Sequence, residues 1–81
     1  MLLSKAKINK IYIIDHIEGS TSLKRRLLEM GLTSNTEIHI TQIAPFNDPI
    51  IVSVRGYNLS LRLFEASHVV LIEMTKKSHF L

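Results

Sequence analysis

The stretch SLKRRLLEMGLTSNTEIHIT, Ser22 to Thr41, decides the fold, because the spacing of its apolar residues changes part-way through. Leu23, Leu27 and Met30 fall at i, i+4 and i+7, the spacing of one helix face, and Leu28 widens the stripe. Lys24, Arg25, Arg26 and Glu29 take the other face. Gly31 then stands where a helix closes through a left-handed residue, with Leu32 next to it for the apolar contact that often accompanies the closure. From Thr36 the period is two: Ile38 and Ile40 alternate with Glu37, His39 and Thr41. A helix, a glycine turn and a second element also suit a helix–turn–helix. The strict alternation and β-branched residues of 37–41 make the second element a strand, so that reading fails.

Upstream, Gly19-Ser20-Thr21-Ser22 offers a turn with several N-cap candidates. Before it, Lys10 to Ile17 is rich in Ile and Tyr and reads as a strand. Downstream, Ile43 breaks the parity of the second strand, which suggests a bulge or a strand end. Ala44 to Pro49 is a loop with two prolines. Ile50, Val52 and Val54 then share one face, Gly56 turns the chain, and Leu59 and Leu61 return along a hairpin partner. Residues 64–67 leave room for one helical turn, and Val69 to Ile72 is a last buried strand. The expected core is Leu23, Leu27, Ile38, Ile40, Val52, Val54, Leu59, Leu61, Val70 and Ile72. The order strand, helix, three strands, short helical turn, strand predicts a mainly β fold. With connections too short for parallel crossovers, the five strands close into a small antiparallel barrel.

Eighty-one residues suffice for one domain, assigned to 1–75, with 76–81 as a patternless tail. The composition is globular, 46% apolar and 21% charged. With no cysteine there are no disulfides, thiolate metal sites or cysteine nucleophiles, and the simplest compartment is the cytosol. No apolar run exceeds four residues, against roughly 20 for a spanning helix, and the first residues turn polar too soon for a signal peptide. The pI near 9.5 raises the question of nucleic acid. Yet five of the ten cations lie at Lys5, Lys7, Lys10, Lys76 and Lys77, and residues 11–75 set seven acids against five cations. That body, at net −2, argues against a phosphate-binding face.

Two stretches carry more than periodicity. One is Arg25-Arg26-Leu27-Leu28-Glu29-Met30-Gly31-Leu32 followed by Thr36-Glu37-Ile38. The other is Ala44-Pro45-Phe46-Asn47-Asp48-Pro49-Ile50 followed by Val54-Arg55-Gly56-Tyr57-Asn58-Leu59-Ser60-Leu61-Arg62. In this order they resemble the FeoA family of small cytosolic proteins of bacterial ferrous-iron uptake, over residues 5 to 74. The resemblance implies an SH3-like barrel with a helix inserted after the first strand. It also implies a partner, the cytosolic GTP-binding domain of the FeoB transporter, and neither an enzymatic activity nor a cofactor. The family's usual Pro-Gly before the first strand and before Thr36 is replaced here by Ile8-Asn9 and Ser34-Asn35, where Asn suits positive φ.

The helix and the turn after it hold the candidate contact residues Arg25, Arg26, Leu28, Met30 and Gly31, with Phe46 as a lid on the barrel or a second anchor. Gly31 and Gly56 are expected at positive φ. There is no G-x-x-x-x-G-K-[ST] phosphate loop and no nucleophile beside a base, so catalysis is unsupported. Another role is an arginine given in trans to a partner's nucleotide, from Arg25, Arg26, Arg55 or Arg62. Arg55 and Arg62 otherwise read as outward strand residues. A further alternative is a regulatory domain like that at the C-terminus of iron-dependent repressors. His16, His39, His68 and His79 are too scattered for a local metal site, and only Asp15-His16 with Glu18 clusters.

Overall fold

The computed structural model describes residues 1–74; the expected tail, with Lys76, Lys77 and His79, lies outside them. A 3-10 turn, Leu3–Lys5, leads to β1 (Tyr12–Ile17), α1 (Thr21–Glu29), β2 (Glu37–Ile43), β3 (Ile50–Val54), β4 (Tyr57–Leu61), α2 (Leu63–Ala66) and β5 (Val69–Glu73). The strands form one antiparallel sheet in the order β4-β3-β2-β1-β5. It is a curled sheet rather than a closed barrel, because β4 and β5 are its two edges and α2 connects them.

Each element follows its local chemistry. Ser20 caps α1 by accepting from the Leu23 backbone N–H at 3.2 Å. At the other end the Leu32 N–H donates to the Leu27 carbonyl and the Gly31 N–H to the Leu28 carbonyl, the paired bonds of a Schellman closure. Gly31 has φ +100°, and Leu32 is fully buried. The predicted break in β2 is a register shift between Ile40 and Gln42. Arg55 and Gly56 form a two-residue hairpin loop between the paired Val54 and Tyr57, both with positive φ as a type I′ turn requires. Asn9 and Asn35 stand at φ 65° and 66°, so asparagine does serve in place of the missing glycines.

The core runs from Leu3 through Tyr12, Ile14, Leu27, Ile38, Ile40, Val52, Val54 and Leu61 to Val69 and Leu71. Leu23 and Leu59, expected within it, are partly buried against it. The last strand corrects the expectation more sharply. Val69 and Leu71 face inward, whereas Val70 is half-buried and Ile72 is exposed. A run of four apolar residues carries no parity; the register against β1, which sets Ile17 beside Val69 and Ile14 beside Leu71, decides it. A second difference lies at the N-terminus, where Leu3 is wholly buried and Leu2 bridges Val70 along the free edge of β5.

Candidate functional site

The two sides of α1 have different fates. Its inner side presents Leu27 to the core and Arg26 to Glu65 of α2. Glu65 is only 5% exposed; it accepts from Arg26 and, at 2.9 Å, from the Arg62 backbone N–H that begins α2. A buried carboxylate requires such partners, so Arg26 joins the two helices.

The hairpin loop holds the C-terminal end of α1. The Tyr57 hydroxyl donates to the Met30 carbonyl at 2.6 Å. Arg55 Nε donates to the Gly31 carbonyl at 3.3 Å, and its Nη2 donates to the hydroxyls of Thr33 and Thr36. A cation satisfying the last carbonyls also complements the negative end of the helix dipole. Arg55 is thus a turn residue folded back on α1, not the outward strand residue its sequence position suggested. Arg62 precedes α2, and its guanidinium lies 4.0 Å from Asp48, which itself accepts from the Leu63 N–H at 2.9 Å.

The outer side of α1 carries Thr21, Lys24, Arg25, Leu28 and Glu29 around an open valley of about 430 Å³. One helix alone lines it, so it is a surface relief between long side chains and not an enclosed ligand site. Leu28 is 45% exposed there. Of the expected contact residues, Arg25 and Leu28 share this face. Met30 is partly buried against the core, Gly31 sits under Tyr57, and Arg26 belongs to the inner junction. Phe46 lies in the turn between β2 and β3, 91% exposed, so it is not a lid on the barrel.

Sequence reasoning missed Glu65, Tyr57 and Asp48. Glu65 stands three residues after Arg62, the spacing of a capping box, but arginine is not an N-cap type and hid the signal. Nothing local distinguishes Tyr57 from an ordinary strand residue.

The histidines do not converge. His16 places Nδ1 2.8 Å from Asp15 and Nε2 3.3 Å from Glu18. The hydrogen bond with Asp15 and then that with Glu18 favour the imidazolium and raise its pKa above the usual value. His68 packs edge-on against Phe64, centroids 5.1 Å apart. Among the described residues no group of three His, Asp or Glu side chains is arranged to hold a metal. No helix there is long and apolar enough to cross a membrane.

Met30, Gly31, Arg55 and Tyr57 of the helix-to-hairpin clamp lie on the motifs that carry the resemblance, and the FeoA domain model matches residues 1–73. The chain belongs to the FeoA family. A relative, the Fe(2+) transport protein A/Fe(2+) transporter FeoB fusion protein of Porphyromonas gingivalis, is 33% identical over 69 residues. Those residues are 85% of this chain and 8% of the relative, so the chain spans a small part of that protein's length. The solution structure of a FeoA-like protein from Clostridium acetobutylicum superposes with a TM-score of 0.86 at 32% identity, covering 94% of this chain and 88% of that one. The Stenotrophomonas maltophilia FeoA, a procaryotic SH3 domain protein crystallised with zinc, matches at TM-score 0.76 and 25% identity over 88% of each chain. The fold is therefore the SH3-like one, with α1 inserted between β1 and β2.

Proposed function

We propose that this chain is a cytosolic accessory protein of ferrous-iron uptake that acts by protein–protein contact on the GTP-binding domain of a FeoB transporter, with the outer side of α1 as the contact face. One observation carries the reading: in the P. gingivalis relative, the transport-protein-A part and FeoB share a polypeptide. Tethering raises effective concentration to the millimolar range, which matters when the tethered parts act on each other. The outer side of α1 suits a contact because its cations and Leu28 remain accessible, whereas Leu27 is buried and Arg26 is paired with Glu65. Phe46 is a second anchor on a separate loop.

A further observation favours one form of that contact. Arg26 is paired with Glu65, Arg55 is tied to Gly31, Thr33 and Thr36, and Arg62 lies near Asp48. Among the described residues, Arg25 is the arginine left with no side-chain hydrogen bond or ion pair, so an arginine offered to a partner's nucleotide is Arg25. Association kinetics with the isolated GTP-binding domain, with and without nucleotide, test both. Arg25→Glu slows association and Leu28→Ala speeds dissociation. Wild-type kinetics in both variants move the contact to Phe46, and no binding by the wild-type protein under any nucleotide condition refutes the reading.

A further inference from the structure

The sheet has two edges, and the chain treats them differently. The outer edge of β5 is occupied by the N-terminus. There the Leu71 N–H donates to the Met1 carbonyl at 2.6 Å, the Met1 amino group donates to the Leu71 carbonyl at 3.0 Å, and Leu2 bridges Val70. Along β4 no described residue takes that place. The two-residue loop makes Val54 and Tyr57 a hydrogen-bonded pair, so Tyr57, Leu59 and Leu61 turn their backbone groups to β3. Asn58 and Ser60 turn theirs outward. Both residues are exposed, and their N–H and C=O groups have no partner among the described residues.

The strand also lacks what usually protects an edge. It has no proline and no charged side chain, and its register against β3 runs without a bulge from Val54 and Tyr57 to Ile50 and Leu61. The cations on either side of it are turned to their own chain, Arg55 toward Gly31, Thr33 and Thr36, and Arg62 toward Asp48. Its inner face is unfinished as well. On β3, Ile50, Val52 and Val54 are all buried. Beside them on β4, Leu61 is buried, but Leu59 is only partly covered and Tyr57 is 43% exposed.

We propose that β4 is a self-association edge, along which the β4 strand of a second copy of this chain pairs antiparallel about a two-fold axis at Leu59. The axis sets Asn58 opposite Ser60 of the second copy, and the two exchange N–H and C=O bonds. An isologous contact repeats every pair, so the outward backbone groups of both residues are satisfied in both copies. Leu59 meets Leu59 of the second copy on the inner face, where each adds to the other's burial. Arg62 falls opposite Gly56, so this register sets no cation directly against another. A row of free backbone groups asks for another strand, and a second copy brings one that is neutral, of the same length and equally unfinished on its inner face. These residues are not those of the outer side of α1, and the inference stands whether or not that side binds a transporter.

Sedimentation equilibrium of the full chain, read together with amide exchange at Asn58 and Ser60, tests it. A reversible dimer is expected, with a dissociation constant on the order of 100 µM, as suits so short a ladder. Exchange at the two amides slows as the protein concentration rises. Ser60→Pro removes an outward donor at a place where an edge strand tolerates proline, so the melting temperature holds while the dimer weakens at least about tenfold. Asn58→Lys with Ser60→Lys sets like charges opposite each other on both sides of the axis and weakens the dimer about tenfold, whereas Asn58→Lys with Ser60→Glu keeps it at least as tight as wild type. A monomer up to about 1 mM, a dimer indifferent to Ser60→Pro, amide exchange independent of concentration, or equal effects of the two lysine pairs overturns the proposal. A monomer whose Asn58 and Ser60 amides slow only on addition of the isolated GTP-binding domain would also overturn it and assign the edge to that partner.

Discussion

The inner and outer sides of α1 share nine residues and a single sequence pattern, yet they hold opposite kinds of side chain. Inward, Leu27 is fully buried, Arg26 pairs with a buried carboxylate, and the carbonyls of Met30 and Gly31 just past the helix are clamped by Tyr57 and Arg55. Outward, Lys24 and Arg25 make no side-chain hydrogen bond or ion pair among the described residues, and Leu28 is 45% exposed. Neighbours in sequence therefore belong to different jobs: Arg25 is available to a partner and Arg26 is part of the fold. Composition of a charge cluster says little about its use until each side chain is placed.

The largest separation between the two sides comes from the leucine pair. Leu27→Ala removes a fully buried side chain and costs about 2–5 kcal/mol, close to the whole stability of a domain this size. Leu28→Ala, at a half-exposed position, costs less than about 0.5 kcal/mol. Thermal or urea melts check both. Equal losses would mean that Leu28 is packed and that the outer side is no free surface.

The glycines give the next contrast. Both Gly31 and Gly56 have positive φ, but a Cβ at Gly31 would fall 2.1 Å from the Tyr57 hydroxyl oxygen, whereas one at Gly56 meets nothing within 4 Å. Gly56→Val then costs only backbone strain, about 1–2 kcal/mol. Gly31→Val adds displacement of Tyr57 and costs about 2–5 kcal/mol in all. A smaller loss at Gly31 than at Gly56 would separate the helix end from the hairpin.

Charge reversal follows. Arg26→Glu places a like charge beside Glu65, which is almost wholly buried. Breaking a buried pair costs about 3–5 kcal/mol, but the Arg26 side chain is largely in water, so about 1–3 kcal/mol is expected after screening. Arg25→Glu leaves the melt within about 0.5 kcal/mol of wild type. Reversing both, the natural experiment when the cluster is read as one exposed group, would confuse lost folding with lost binding.

The sequence showed the main elements, their order and the core positions Leu27, Ile38, Ile40, Val52, Val54 and Leu61 because each rests on local chemistry. The period change at Gly31, the Schellman glycine and the alternation in β2 all lie within a few residues of what they determine. The inward face of β5 did not, because Val69-Val70-Leu71-Ile72 has no polar residue to mark parity and only pairing with β1 chooses it. The junction around α1 was hidden for a related reason: Arg26 and Glu65 are 39 residues apart, and Gly31 and Arg55 are 24 apart. A long-range pair leaves no period to read.

The smallest effect tests that junction most directly. Tyr57→Phe removes the hydroxyl that donates to the Met30 carbonyl, and a single partly exposed hydrogen bond is worth about 0.5–1.5 kcal/mol. The same hydroxyl oxygen is the atom a new Cβ at Gly31 would strike, while the ring carbon behind it stands at 3.4 Å, an ordinary contact. Gly31→Ala should therefore be less costly in the Tyr57→Phe protein than in the wild type, since the clash is gone and only the strain of φ +100° remains. A double-mutant cycle reads the difference as a coupling energy of about 0.5–3 kcal/mol. Strict additivity would mean that Tyr57 does not rest on the helix end, and that the side of α1 described as clamped is as free as the other.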